Sequence, residues 1–76
     1  MNAAQCKMAR AGLGWRAQDL ADRAGVGYAT VARFESGSDI ASDSLEKLVA
    51  ALADAGAQSV PSGKWAGAVY VGRETD

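Results

Sequence analysis

Apolar positions recur at helical spacing as far as Gly56, and beyond it the period changes. Asn2 stands where a helix N-cap is expected, and Gln5, three residues on, completes a capping-box pattern. Cys6, Ala9 and Leu13 then share one face, and Gly12-Leu13-Gly14 ends this first helix. A second short helix reads from Ala17 to Ala24, with Leu20, Ala21 and Ala24 on one side and Gly25 as its stop. After Gly25-Val26-Gly27, a third runs from Tyr28 to about Ser36, with Val31 and Phe34 inward and Gly37 closing it. Serines, aspartates and a glycine surround the single apolar Ile40 between Ser36 and Ser44, which predicts a loop. A fourth helix opens near Ser42 or Asp43, where Asp43 and Glu46 have capping-box spacing. Its buried face is Leu45, Leu48, Val49 and Leu52, and it ends by Gly56.

Past Gly56, Ser59-Val60 precedes the turn signal Pro61-Ser62-Gly63-Lys64, and Ala66 to Val71 mixes small and β-favouring residues. Two short strands are expected at 58–60 and 66–72, paired as a hairpin and followed by a frayed tail. The expected fold is therefore mainly α: a four-helix core over residues 1–56, then a β segment over 57–76.

Ala17 to Ser36 carries the most information. Two helices cross tightly only with a small side chain between them, which Ala21 supplies, and Gly25 tolerates the positive φ the turn needs. Leu20, Ala24, Val26, Val31 and Phe34 close the interior. This is a helix-turn-helix, a unit whose second helix projects toward a DNA major groove.

Composition narrows the possibilities. With 76 residues, of which 49% are hydrophobic, the chain holds one modest core, and small domains commonly add a staple. The lone Cys6 excludes an internal disulfide, and the lack of histidine leaves too few ligands for zinc, so a partner subunit is the expected staple. The usual histidine acid–base and nucleophile chemistries are also excluded, and neither an enzyme nor a cofactor is expected. No apolar run approaches the ~20 residues of a membrane span, there is no signal-peptide pattern, and the free thiol suits a cytoplasmic protein.

The net charge of −1 is unlike the basic footprint of most DNA-binding domains. Its distribution is uneven: residues 1–36 balance at +2 and residues 37–76 at −3. An anionic partner is expected to meet the first half.

Over about residues 3–55 the chain resembles the Cro/phage-repressor (Xre-type) helix-turn-helix proteins, with their lambda-repressor-like four-helix core. Leu20-Ala21, Gly25-Val26, Thr30-Val31, Phe34-Glu35, Gly37, Ile40 and Leu45 carry the likeness. The resemblance implies a dimeric transcriptional regulator, such as a phage-type repressor, an antitoxin or a small autoregulator, on a palindromic operator in double-stranded DNA. No small-molecule effector is evident. It implies base reading by Gly27, Tyr28, Ala29, Ala32 and Arg33, with Arg33 foremost because a guanidinium bonds guanine O6 and N7 together. Tyr28 is suited to a phosphate or a thymine methyl. Arg16, Gln18, Arg23 and Thr30 are the expected phosphate contacts, and Arg10 with Glu35 matches a structural ion pair of the family.

The chain also departs from that pattern. Relatives commonly open the second helix with serine or threonine and then glutamine, where this chain has Arg16 and Ala17. Arg16 is expected to replace the lost contact by direct charge pairing. Relatives often have a basic loop after the recognition helix, and here it holds Ser36, Ser38, Asp39 and Asp43. Trp15 is expected to cover the core, and Cys6 to be a small buried apolar group. In the C-terminal segment, Trp65, Val69, Tyr70 and Val71 are the expected dimerisation residues, joining a strand edge to a second copy; a hairpin folded back on its own helices is the alternative. The second functional reading is a protein-interaction module that keeps the fold without DNA binding.

Overall fold

The computed structural model describes residues 1–72. It contains α1 (Ala3–Leu13), α2 (Ala17–Ala24), α3 (Tyr28–Glu35), α4 (Ser42–Asp54), β1 (Ala57–Ser59) and β2 (Val69–Val71). The expected tail and the last residues of the 57–76 segment, from residue 73, lie outside the described residues.

The predicted capping box of α1 is present: the Gln5 amide donates to Asn2 Oδ1 at 2.8 Å, and the Asn2 amide donates to Gln5 Oε1 at 2.9 Å. Gly14 closes the helix at φ 74°, and Gly25 closes α2 at φ 73°, where a side chain would be strained. The fully buried Leu20, Val31, Leu48, Leu52 and Cys6 form the centre of the core, with Ala9, Leu13, Ala21, Phe34 and Ala57 around them. α2 packs on α3 and α4, with Ala21 buried at the expected crossing, and α1 packs on α3 and both strands.

Three expectations are corrected. α4 starts at Ser42, one of the two expected positions, but Asp43 and Glu46 do not form a capping box, because the N-cap is Ala41, two residues before Asp43; Asp43 lies inside the first turn and accepts from the Ser44 amide at 2.9 Å. Val49 is exposed and Leu45 half-buried against the core, since of the four only Leu48 and Leu52 are fully buried on the side of α4 that packs on α2 and β1. The strands occupy 57–59 and 69–71, displaced from 58–60 and 66–72, because Trp65 to Gly67 are consumed in the connecting turn. There the Ala66 amide donates to the Gly63 carbonyl and the Gly67 amide to the Val60 carbonyl.

The strands pair antiparallel, with Ala57 opposite Val71, Gln58 opposite Tyr70 and Ser59 opposite Val69. Two-residue alternation puts Val69 and Val71 against the core and turns Tyr70 outward. The hairpin thus folds back on its own helices. Val69 and Val71, expected at a dimer contact, are occupied within the chain, while Trp65 (68% exposed) and Tyr70 (65%) are not.

Candidate nucleic-acid interface

Eight residues of α3, YATVARFE, divide sharply. Val31, Phe34 and Glu35 are buried, Thr30 and Ala32 half-buried, and Tyr28, Ala29 and Arg33 exposed, with Gly27 exposed just before the helix. The residues expected to read bases therefore lie on the solvent side of the helix, and Tyr28 keeps 53% of its surface. Gly27 is the N-cap, its carbonyl accepting from Val31 to begin the helix, and it contributes no capping side chain.

A buried ion pair fastens α3 to α1. Arg10 donates through Nε to Glu35 Oε2 and through Nη2 to Glu35 Oε1, both at 2.9 Å. Its remaining arm, Nη1, reaches the Trp15 carbonyl at 3.1 Å and ties the same residue to the entry of α2. Cys6 Sγ donates to Glu35 Oε2 at 3.3 Å, so the thiol is a hydrogen-bonding member of this cluster as well as the expected buried group. Burial pushes the Glu35 carboxyl up, but hydrogen bonds from Arg10 and Cys6 and the charges of Arg10 and Lys7 hold it below the usual glutamate range. Burial, then the bond to Glu35, pushes the Cys6 thiol up to about 12, so it stays protonated. Arg10 and Glu35 are thus a structural pair.

At the start of α2 the Arg16 guanidinium lies 3.3 Å from Asp19 Oδ1, and the Arg16 amide donates to Asp19 Oδ2 at 2.8 Å. These bonds satisfy the N-cap amide of Arg16 but supply no side-chain acceptor for the first-turn amides that a serine or threonine would cap, and the backbone bond leads in holding the Asp19 carboxyl below its ordinary range. Gln18 Nε2 donates to Asp22 Oδ1 at 2.9 Å. Arg23 stacks over the Trp15 ring, 4.8 Å from its centroid, in a groove shared with Ala51, Asp54 and Ala55 on the α4 side of α2. Trp15 covers the core as expected. Three of the four expected phosphate contacts thus have intramolecular partners.

Sequence reasoning missed these partners, although Arg16/Asp19 and Gln18/Asp22 stand at the three- and four-residue spacings that meet on a helix. It also missed the bond from Arg33 Nη2 to the Asp39 carbonyl, 3.4 Å, through which the following loop touches the exposed face of α3. No sequence signal marks that contact, because the acceptor is backbone.

A tight helix pair with a left-handed glycine at the turn, and a second helix exposed along one side, defines a DNA-binding helix-turn-helix domain. A helix-turn-helix family model matches residues 7–53, from within α1 to near the end of α4. The chain belongs to the Cro/C1-type, Xre-like helix-turn-helix family of DNA-binding regulators. Comparison with curated proteins and with solved structures gave no match. Among the described residues, no helix is long and apolar enough to cross a membrane.

Proposed function

We propose that this chain is a sequence-specific transcriptional regulator, a repressor or autoregulator, that inserts α3 into the major groove as a homodimer on a palindromic operator. The observation that carries this reading is the exposed row Tyr28, Ala29 and Arg33 on a helix whose opposite side is pinned by Arg10 and Glu35. On DNA, Gly27, Tyr28, Ala29, Ala32 and Arg33 face base edges. Arg16 and Gln18 exchange their carboxylate partners for phosphates, and Arg23 and Thr30 flank them. Each copy presents one α3, so one copy reads one half-site and a palindrome takes two. Trp65 and Tyr70 are the exposed groups available to a second copy.

A second reading, a protein-interaction module, is favoured by the pairing of Arg16 and Gln18 with aspartates and by the acidic Asp39 and Asp43. Selection of the full chain against a randomised duplex pool separates the two. Convergence on a palindrome with half-sites about 10 base pairs apart is the expected result. Arg33→Ala should then weaken binding by about 1–3 kcal/mol with the helical signal unchanged. No enrichment and no binding at low salt would leave the second reading standing.

A further inference from the structure

Each base pair shows the major groove a distinct set of groups, and each set calls for particular side chains. Arginine or lysine suits guanine O6 and N7, asparagine or glutamine suits adenine N6 and N7, a carboxylate suits cytosine N4, and small apolar groups suit the thymine methyl. α3 contains no asparagine, glutamine, aspartate or lysine. Its one carboxylate, Glu35, is buried and bonded to Arg10 and Cys6, so the only carboxylate that sequence offers for a cytosine amine is withdrawn. What remains on the exposed side is one guanidinium, one methyl and one aromatic ring: Arg33, Ala29 and Tyr28. The hydroxyl of half-buried Thr30 both donates and accepts, and discriminates weakly between bases.

We infer that α3 reads its half-site through one guanine and neighbouring thymine methyl groups, and is indifferent to the exocyclic amines of adenine and cytosine. This rests on the proposed DNA binding and specifies its chemistry. Arg33 is the guanine reader. Its Nη2 is held by the Asp39 carbonyl, which occupies one donor and leaves the rest of the fork to face O6 and N7. Asp39 therefore acts as a positioning residue through its backbone, and its place in the loop serves the site despite its charge. Ala29 lies one helical turn before Arg33, about 6 Å along the axis. That span covers about two base steps of ~3.4 Å, so the thymine it touches is within two steps of the guanine. The Tyr28 ring lies next to Ala29 in sequence at the helix start and extends the apolar contact to a further methyl.

The test uses the duplex that the randomised pool enriches and alters single atoms of its bases. Replacing the half-site guanine by 7-deazaguanine removes only the N7 acceptor, and should weaken binding of the unaltered chain about tenfold. Arg33→Ala should bind the two duplexes equally. Replacing thymines within two steps by deoxyuridine removes one methyl each, and should weaken binding about fourfold at the position Ala29 covers. Ala29→Gly should not distinguish the two; Ala29→Ser, which disturbs the helix less, is the second variant. Purine deoxyriboside in place of the half-site adenines and 2-pyrimidinone deoxyriboside in place of the cytosines, which lack the N6 and N4 amines, should change nothing. An equal deazaguanine effect in the chain and in Arg33→Ala, indifference to deoxyuridine, or a loss with either amine-free base would overturn the inference while leaving DNA binding intact. A pool that yields no sequence would overturn the functional reading and this one with it.

Discussion

Glu35 shows how one residue links stability to the orientation of the interface. It is the only charged residue buried among the described ones, with 9% of its side chain exposed against 22% for Arg10. Removing one partner of such a pair leaves an unmatched charge, so Glu35→Gln should lower stability by about 3 kcal/mol at neutral pH. That value is at the low end for a buried pair, because Arg10 retains a route to water. The pH dependence follows from the lowered carboxyl. Below the ordinary glutamate range the unfolded chain takes up a proton before the folded one does. The pair's contribution is therefore complete above the unfolded value and is lost as pH falls through the folded one. Chemical denaturation from pH 7 to pH 3 should show a steeper acid loss in the unaltered chain than in Glu35→Gln. Parallel curves would mean that the pair does not set the acid limb.

Among the elements, the hairpin presses closely on α1. A Cβ built on Gly12 would stand 2.7 Å from Val71 Cγ2, and valine is stiff at χ1 and cannot turn aside. Overpacking of this kind costs about 1–3 kcal/mol, against a gain of about 1 kcal/mol in helix propensity. Gly12→Ala should therefore destabilise the chain by roughly 1 kcal/mol. In a Val71→Ala background the same change should stabilise it, because the obstacle is gone and the propensity gain remains. Thermal melts of the four combinations read this reversal of sign directly. A stabilising Gly12→Ala in both backgrounds would mean that β2 does not press on α1.

At the scale of the whole molecule, the hairpin serves two surfaces. Its inner side, Ala57, Val69 and Val71, completes the core over α1 and α4, so removing everything after Gly56 uncovers the core as well as any dimer contact. Trp65 and Tyr70 separate the two roles, since they face outward around a shallow apolar hollow of about 320 Å³ shared with Val60 and Ala68. Trp65→Ser combined with Tyr70→Ser should leave the melting temperature within a few degrees while converting the proposed dimer to monomer in sedimentation. The double variant should also bind the palindrome more weakly, because each half-site then engages independently. A dimer that survives the change would place the contact elsewhere on the chain.

The sequence alone determined the helical core, its turn and the exposed side of α3. Helical periodicity, the Asn2/Gln5 box and the glycines at 14 and 25 are local signals, read within a few residues of where they act. The assignment of Val31 and Phe34 inward and Tyr28 and Arg33 outward followed from the same period. Weaker local signals misled: the Asp43/Glu46 spacing was right for a box, but the N-cap falls two residues earlier, at Ala41, which put Asp43 inside the helix. Tertiary structure decided what each exposed or polar group is bonded to. The withdrawal of Glu35 into the core with Cys6, the seating of Arg23 on Trp15 and the hold of Asp39 on Arg33 bring together groups separate in sequence. It also decided which side of β2 is covered, because a strand of three residues has two equivalent faces until α1 packs against one of them. Local periodicity specifies which way a side chain points, whereas its partner depends on which elements the fold brings alongside.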